Sequence, residues 1–306
     1  MDLRVLAKRL GGDLVGSKKL GGLANESYRL DVNAQGEVKR FSVKVYRGSD
    51  ARLKAEKELK LYKLLRKYGL KAPRVSLADI EGVNCGKPLL AWEWIEGYTA
   101  DELLGKKRIG EVVARSMGAA LALFHRIPLG EVDLPLLERR EGFWASEVNT
   151  VKFLAQLLDL DIPGDALDDL SGMSVERLTL LHGDYNPGNV LISSDGVYVM
   201  DLEGVSVGDP LFDVAYALAF ISHGGRWREA LTFAREYFRL SKVSSHGLAL
   251  KLALVAARIR FFLDLAESRG FLKWRTGTFY PLVSALYLRS LRKHLDSFSR
   301  KILSLS

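Results

Sequence analysis

The sequence predicts an α+β fold in which a small β-rich lobe precedes a larger, mainly helical lobe. Three observations support this division. Segments that alternate between apolar and polar residues cluster in residues 1–96, segments with helical spacing dominate residues 97–306, and Gly97 stands between them as the expected hinge. With 306 residues, of which 48% are hydrophobic, the chain is long enough to bury a sizeable core.

The N-terminal lobe is predicted to contain two helices and three strands. The first helix covers residues 1–14, where apolar side chains recur at helical spacing, and the second covers residues 50–68, before Gly69 and Pro73. The predicted strands are residues 27–32, 38–46 and 88–95, and a polar turn at residues 33–36 joins the first two into a hairpin.

The C-terminal lobe is predicted to be helical apart from one β-rich island at residues 178–201. The predicted helices are residues 101–126, 136–160, 211–222, 227–240, 248–268 and 280–302. Because a cleft between two lobes is a usual place for a ligand, we expect functional residues from both lobes.

Charge and cysteine content narrow the classes of function. Residues 1–97 hold 20 Lys+Arg against 12 Asp+Glu and the remainder is balanced, so the net charge of +8 is confined to the first third. This fits either a solvated basic surface or a lobe that binds a polyphosphate. The single Cys85 excludes an intramolecular disulfide. No segment is apolar enough for a membrane helix or a secretory signal, so we expect a cytoplasmic protein without a membrane partner.

The strongest indication of chemistry is the segment LLHGDYNPGNVLISSDGVYVMD at residues 180–201. An apolar strand leads into a polar turn with Asp184, Asn189 follows, and a hairpin then ends at Asp201. We expect the hairpin to bring these three side chains together. A carboxylate can accept the proton of a hydroxyl group, while an amide oxygen and a second carboxylate are ligands that Mg²⁺ prefers. The pattern therefore predicts metal-assisted phosphoryl transfer rather than a polar loop without chemistry.

The residues HGDYNPGNVLI, followed by MDLEG, resemble the aminoglycoside phosphotransferase and choline kinase family, relatives of the protein kinases. The resemblance covers essentially the whole chain. It implies a two-lobed protein-kinase-like fold, with Mg²⁺ and with ATP or GTP as phosphate donor. By the same resemblance, Asp184 is the catalytic base, Asn189 and Asp201 are Mg²⁺ ligands, and Glu203 belongs to the metal site. Protein kinases have Gly at the position of Glu203, so the DLE sequence favours a small-molecule acceptor with a hydroxyl group.

A lysine and a glutamate in the N-terminal lobe match the same chemistry. Lys44 lies in an alternating strand, with Val43 and Val45 on the opposite face, and a kinase needs such a lysine for the α- and β-phosphates. Glu58 lies within the apolar stripe of the 50–68 helix, where an unpaired carboxylate is costly. We therefore expect Glu58 to pair with Lys44; the alternative is that Glu58 lies at an exposed rim and forms a helix pair with Lys54 or a neighbour.

Two further segments are assigned to the nucleotide. The segment LGGLANES is expected to form a loop between helix and strand whose phosphate-binding residues are Gly21, Gly22, Asn25 and Ser27. Taken alone, the same segment also fits an ordinary turn. By the resemblance, backbone groups of Glu93, Trp94 and Ile95 would meet the adenine edge, whereas the tryptophan side chains belong to the core or the cleft wall.

The segment GDPLFD at residues 208–213 is predicted to support the site. Asp209 is expected to cap the helix that Pro210 begins. By the resemblance, Asp213 anchors the catalytic loop, and His125 braces the core or a loop. Only seven residues separate Asp201 from Asp209, too few for the long activation segment of a protein kinase.

The acceptor is the least defined partner. An aspartate-rich segment at residues 157–170 either suits a cationic acceptor or forms a solvated loop. Candidate acceptor contacts on the C-terminal helices are Arg258, Arg260, Trp274 and Tyr280. The alternatives to a small-molecule kinase are an atypical protein kinase, a nucleotide-binding pseudokinase and a nucleic-acid-binding module. The last has no recognised motif in this sequence, so no nucleic-acid partner is expected.

Overall fold

The structure, a computed structural model, describes residues 2–21, 25–83, 86–134, 137, 142–160, 171–173 and 175–268. These residues fall into two units. The first unit draws on Met1–Tyr98, Gly130–Leu137 and Leu191–Glu203, and the second on Thr99–Leu129, Glu138–Val190 and the chain from Gly204 onward. The predicted division into residues 1–96 and 97–306 stays a prediction.

Ten strands are present in the described part of the chain. They are β1 (Asp13–Gly21), β2 (Glu26–Ala34), β3 (Glu37–Val45), β4 (Val75–Asp79), β5 (Leu89–Glu93), β6 (Tyr98–Thr99), β7 (Thr179–Leu181), β8 (Val190–Ser193), β9 (Gly196–Val199) and β10 (Ser206–Gly208). The first five form one antiparallel sheet in the order β1-β2-β3-β5-β4. Strands β7 and β10 form a separate antiparallel pair in the second unit.

The α-helices within the described residues number eight. They are α1 (Leu3–Arg9), α2 (Ala51–Lys67), α3 (Ala100–Leu104), α4 (Gly110–Phe124), α5 (Phe143–Leu157), α6 (Leu211–Ile221), α7 (Trp227–Ser241) and α8 (Leu248–Ser268). In the second unit, α4 packs against α7, and α8 packs against both α5 and α6. Among the described residues, we find no helix with the length and apolar character needed to cross a membrane.

Alternation along the β2–β3 hairpin explains the core of the first unit. Leu30 and Val32 on β2, with Val43 and Val45 on β3, are buried in one apolar cluster that also receives side chains from α1. Because successive residues of a strand point to opposite faces, Lys44 lies on the face opposite Val43 and Val45. The hairpin prediction is thereby confirmed.

The start of the chain differs from the prediction. The helix predicted for residues 1–14 ends at Arg9, and residues 13–21 form β1. Gly11 has φ +95°, a left-handed conformation that ends the helix, and a Cβ on Gly12 would lie 2.1 Å from the carbonyl oxygen of Asn33. The close approach of the β2–β3 hairpin therefore turns the chain from helix to strand. Strand β4 was also not predicted.

The helix predicted for residues 101–126 is two helices, α3 and α4. Arg108 has φ +69° between them, and a Cβ on Gly110 would lie 2.2 Å from the carbonyl oxygen of Leu104, so the chain turns back sharply on the end of α3. The helix predicted for residues 136–160 is α5, which begins after Gly142. The three helices predicted between residues 211 and 268 are confirmed as α6, α7 and α8. The helix predicted for residues 280–302 lies outside the described residues.

Candidate active site

Lys44 is the centre of a charged cluster in the first unit. Its Nζ lies 2.9 Å from Glu58 Oε2, 2.7 Å from Asp201 Oδ1 and 3.6 Å from Glu203 Oε2. Burial by itself would lower the pKa of Lys44, but the three carboxylates outweigh it and raise the pKa above the ordinary value. The predicted Lys44–Glu58 pair is confirmed, and Lys54 pairs with Asp50 instead.

Two tyrosines that the sequence interpretation did not assign hold Glu58. The glutamate is 0% exposed, and its two oxygens accept hydrogen bonds from Tyr46 and Tyr62 at 2.6 Å each. Tyr46 follows Lys44 by two residues, immediately after the end of β3, and Tyr62 follows Glu58 by four residues on the same helix face, so the spacing contained a signal for both. The buried carboxylate is therefore fully engaged.

Asp201 and Glu203 enter this cluster from the turn that follows β9. Asp201 has φ +57°, an uncommon conformation for a residue with a side chain, and its carboxylate accepts from Lys44. Asn25 Nδ2 donates to Glu203 Oε2, and Lys57 Nζ donates to the Glu203 carbonyl oxygen at 3.0 Å. Partial burial raises the pKa of the Glu203 carboxyl above its ordinary value, although Lys44 acts in the opposite direction.

The residues assigned to the phosphates lie around the β1–β2 connection. Gly21 ends β1 and pairs with Ser27 of β2, which in turn pairs with Lys44 of β3. The connection therefore joins two strands and not a helix and a strand, which corrects the prediction. Gly22 lies outside the described residues, and Asn25 is buried beside Glu203.

The segment assigned to the adenine edge begins at Glu93, the last residue of β5, and continues beyond the strand. The Trp94 N–H donates to the Arg40 carbonyl oxygen at 2.8 Å, which continues the pairing of β5 with β3. In an antiparallel pair, neighbouring residues direct their backbone groups to opposite sides, so the N–H and C=O groups of Glu93 point away from β3. The Trp92 side chain is buried and contacts Tyr62 edge to face, as expected for a core residue.

Asp184 lies in a hydrogen-bonded loop of the second unit. Its Oδ1 accepts from Asn186 Nδ2 at 2.9 Å, and its Oδ2 accepts from Asn189 Nδ2 at 2.8 Å. Asn189 Nδ2 also donates to the Asp184 carbonyl oxygen, which leaves the Asn189 amide oxygen for other partners. Asn186 was not predicted, although its position between the two assigned residues was a signal.

Tyr216 of α6 is a further neighbour of Asp184 that the sequence did not indicate. Its side chain lies close to that of Asp184, and α6 packs against the 187–189 turn. Burial, followed by the negative charge of the nearby Asp184, raises the pKa of Tyr216. The ring packs between Phe212 and Phe220, one helical turn away on either side.

Asp213 anchors the Asp184 loop, as predicted. Its carboxylate accepts from the main-chain N–H groups of His182 at 2.6 Å and Gly183 at 2.9 Å. His125 bridges the Asp213 carboxylate at 3.0 Å and the Tyr237 hydroxyl at 2.8 Å, which confirms a bracing role. The loop is therefore fixed from α6 through a buried network.

Asp209 supports the start of α6, but not as its N-cap. Pro210 occupies the N-cap position, and Asp209 Oδ1 accepts from the Leu211 N–H at 2.9 Å. Its Oδ2 accepts from Lys251 at 2.6 Å and from the Trp144 ring nitrogen at 2.8 Å. Asp209 thus links the start of α6 to α5 and α8 in the interior.

Two of the four candidate acceptor residues lie within the described residues. Arg258 forms an ion pair with the buried Glu147 at 2.5 Å, and Arg260 pairs with Asp264 at 2.6 Å. Trp274 and Tyr280 lie outside the described residues, as does most of the aspartate-rich segment.

The predicted metal ligands belong to different units: Asp201 and Glu203 to the first, Asn189 to the second. Within the described residues, no group of three or more His, Cys, Asp or Glu side chains could hold a metal ion. The predicted set contains two carboxylates and one amide, and its oxygen donors are the type that Mg²⁺ prefers. Lys44 contacts one carboxylate oxygen of Asp201, and Asn25 contacts one carboxylate oxygen of Glu203. The other oxygen of each carboxylate takes part in neither of these contacts.

Comparison with known proteins matches residues 18–245 to a family model described as the phosphotransferase enzyme family. Macrolide 2′-phosphotransferase MphH from Brachybacterium faecium has 17% identity and a TM-score of 0.66, covering 93% of this chain and 96% of that one. Choline kinase LicA from Streptococcus pneumoniae has 19% identity and a TM-score of 0.60, covering 92% and 94%. Amicoumacin kinase hAmiN, in complex with AMP-PNP, Ca²⁺ and Ami, has 14% identity and a TM-score of 0.59, covering 97% and 93%. These likenesses confirm the kinase-like α+β fold.

Proposed function

Because this chain belongs to the phosphotransferase enzyme family, we propose that it transfers the γ-phosphate of ATP or GTP to a hydroxyl group of a small molecule. The observation that carries the proposal is the position of Lys44, whose ammonium group lies between Glu58 at 2.9 Å and Asp201 at 2.7 Å. Phosphoryl transfer is mainly a matter of positioning and charge stabilisation, and a fixed cation serves both.

Lys44 would hold the α- and β-phosphates. The neighbouring carboxylates keep it protonated, since they raise its pKa above the ordinary value despite burial. Glu58 is fixed by two tyrosines, so it can retain Lys44 when a bound nucleotide changes the surroundings of Asp201. A lysine oriented by a helix glutamate is what this chemistry requires.

Asp184 would accept the proton of the acceptor hydroxyl as its oxygen attacks the γ-phosphorus. Asn186 and Asn189 each donate to one carboxylate oxygen, which fixes the plane of the group. Each carboxylate oxygen has two lone pairs, so lone pairs remain for the acceptor beside these two bonds. Asp213 holds the loop backbone so that Asp184 keeps its orientation.

A divalent cation, Mg²⁺ in this proposal, would be held by the Asn189 amide oxygen and the carboxylates of Asp201 and Glu203. Bound there, it would neutralise negative charge on the nucleotide phosphates. The complex of hAmiN with AMP-PNP and Ca²⁺ supports the use of a nucleotide and a divalent cation by a protein of this fold.

The nucleotide base would meet the backbone of Glu93, Trp94 and Ile95. Glu93 directs its N–H and C=O groups away from β3, whereas the Trp94 N–H is already bonded to the Arg40 carbonyl oxygen. The pairing pattern therefore favours Glu93 over the Trp94 N–H as a contact of the base.

A small molecule is favoured over a protein as the acceptor. Between Asp201 and Asp209 the chain forms only a short 3₁₀ turn at Leu202–Gly204 and strand β10. Residues Ser206–Gly208 of β10 pair with β7, so this short stretch offers no long free segment on which a peptide substrate could lie.

The test is release of nucleoside diphosphate with Mg²⁺ and either ATP or GTP, across pools of hydroxyl compounds. The pools should include macrolides, aminoglycosides, choline and ethanolamine, sugars, nucleosides and homoserine. Asp184→Asn is expected to lose at least 10²-fold of any acceptor-dependent release while it retains nucleotide binding. Asp195→Asn is the matched control, because Asp195 lies in an exposed turn and pairs with Lys71 at the surface.

Acceptor-dependent release that Asp184→Asn abolishes and Asp195→Asn retains would support the proposal and name the acceptor class. Full turnover by Asp184→Asn would refute the assignment of the base. Nucleotide binding without release in any pool would favour the pseudokinase alternative, and labelling of protein would favour the protein kinase alternative.

A further inference from the structure

We propose that Asn25 is a positioning residue that holds the Glu203 carboxylate in place for a divalent cation, and that Asn25 is not itself a ligand of the nucleotide. This inference rests on the proposed function for the role of Glu203. It assigns Asn25 differently from the sequence interpretation, in which Asn25 belongs to the phosphate loop.

Both ends of the Asn25 amide are engaged within the first unit. Its Nδ2 donates to Glu203 Oε2, and its Oδ1 accepts from the main-chain N–H of Arg47 at 3.1 Å. The two partners fix the orientation of the amide, because the reversed orientation would set its oxygen against a carboxylate and its NH₂ against an N–H group. Asn25 is 5% exposed, so its side chain is a buried link between the main chain at Arg47 and the Glu203 carboxylate.

Glu203 is held at its backbone as well as at its carboxylate. Lys57 of α2, also buried, donates to the Glu203 carbonyl oxygen at 3.0 Å, and Lys44 lies 3.6 Å from Oε2. The contacts with Asn25 and Lys44 both involve Oε2, so Oε1 takes part in neither. A carboxylate with one oxygen fixed by a neighbour presents the other in a defined direction, which is how residues outside the ligand set tune metal sites.

A direct role for Asn25 in nucleotide binding is disfavoured by the same contacts. To meet a phosphate, the amide NH₂ would have to leave Glu203, which would then lose a hydrogen bond to a partly buried carboxylate. Hydrogen bonds to charged groups are among the stronger ones in proteins, so this exchange is unfavourable. The positioning role, in contrast, keeps the observed hydrogen bonds of the Asn25 amide.

The experiment measures Mn²⁺ affinity by electron paramagnetic resonance on the full chain saturated with AMP-PNP, and AMP-PNP affinity separately in EDTA. Mn²⁺ is the probe because it takes the same oxygen ligands as Mg²⁺. Four proteins are compared: the unmodified chain, Asn25→Ala, Glu203→Ala and the double variant. Asn33→Ala is the matched control, because Asn33 lies near the end of β2 and its side-chain oxygen accepts from the nearby Gly36 N–H.

Asn25→Ala is expected to weaken Mn²⁺ affinity by about 10- to 100-fold and to leave AMP-PNP affinity in EDTA unchanged. In the Glu203→Ala background, the same substitution is expected to cause no further loss, because its effect passes through the carboxylate. Asn33→Ala is expected to match the unmodified chain. If Asn25→Ala fails to fold, as judged by circular dichroism, Asn25→Ser removes the same amide and carries the test.

Four results would overturn the inference. The first is unchanged Mn²⁺ affinity in Asn25→Ala, and the second is no Mn²⁺ binding by the unmodified chain. The third is a weaker AMP-PNP affinity of Asn25→Ala in EDTA, which would make Asn25 a nucleotide ligand. The fourth is an equal loss of Mn²⁺ affinity on Asn25→Ala in the unmodified and the Glu203→Ala backgrounds. The experiment measures binding and not phosphate transfer. If the expected Mn²⁺ affinities were found but the protein transferred no phosphate, only the proposed function would be refuted.

Discussion

Replacing Glu58 by alanine tests the central cluster of the first unit. The substitution removes a carboxylate that is 0% exposed and that accepts from Lys44 at 2.9 Å and from Tyr46 and Tyr62 at 2.6 Å each. Lys44 would keep Asp201 as a partner at 2.7 Å, but that carboxylate is 43% exposed and screened by solvent. The two tyrosine hydroxyls would lose their acceptor.

The expected cost follows from these contacts. Breaking a buried ion pair by removing one partner costs roughly 3–5 kcal/mol of the free energy of unfolding. Because Lys44 keeps its bond to Asp201, the loss of its ion pair with Glu58 should cost near the lower end of this range. Each tyrosine hydroxyl that is left without its acceptor adds roughly 1 kcal/mol. We therefore expect Glu58→Ala to lower the free energy of unfolding by about 3–5 kcal/mol. Glu58→Gln, which keeps the shape and one acceptor, should cost roughly half of that.

The assay is urea unfolding of the metal-free, nucleotide-free protein, followed by circular dichroism and tryptophan fluorescence. Glu56→Ala is the matched control on the same helix, because Glu56 forms an exposed pair with Lys60 at 2.9 Å. That control should cost no more than about 0.5 kcal/mol. The nucleotide affinity of Glu58→Ala should also fall, since Lys44 would lose its fixed position.

The reasoning would be refuted if Glu58→Ala and Glu56→Ala lowered the free energy of unfolding by the same amount. Such a result would mean that the buried network around Lys44 contributes no net stability. Intact nucleotide affinity in Glu58→Ala would separately contradict the idea that Glu58 orients Lys44.

Two further substitutions test the second unit. Gly183→Ala should abolish transfer and lower the midpoint of thermal unfolding, because Gly183 has φ +81° and a Cβ there would lie 2.2 Å from the Gly204 carbonyl oxygen. Gly11→Ala is the control, since Gly11 has φ +95° but no atom near its Cβ position, and it should show only the backbone cost of about 1 kcal/mol. Equal effects of the two substitutions would contradict the clash at Gly183. Asp209→Ala should lower the free energy of unfolding in urea by roughly 3–5 kcal/mol, because the buried Lys251 would lose its ion-pair partner. Adding Lys251→Met should restore part of that free energy. A double variant less stable than Asp209→Ala would exclude this explanation.

The sequence determined those parts of the site that depend on local spacing. Alternation along β3 placed Lys44 opposite Val43 and Val45, and the apolar stripe of α2 placed Glu58 on the inner face. The short separation of Asp184 from Asn189 allows one turn to join them, and the structure contains the hydrogen bond between their side chains. Periodicity and short turns act over a few residues, so they are readable from the order of amino acids alone.

Boundaries of elements were decided by contacts between distant segments. The first helix ends early because Gly12 packs against the carbonyl group of Asn33, and the 101–126 segment breaks where Gly110 meets the end of α3. Strand β1 carries several charged residues and little alternation, so its local pattern does not indicate a strand. Pairing with β2 makes it one, which a local pattern cannot show.

The partners of the functional side chains were decided by tertiary structure in the same way. Asn25 bonds to Glu203 across 178 positions of sequence, and Tyr216 of α6 lies beside Asp184 of the loop after β7. A polar side chain that is buried must find a partner, and the sequence reveals that need through its position in an apolar pattern. Which partner it finds depends on how the strands and helices pack, because hydrogen bonds act only over about 3 Å and distant segments reach that separation only in the folded chain.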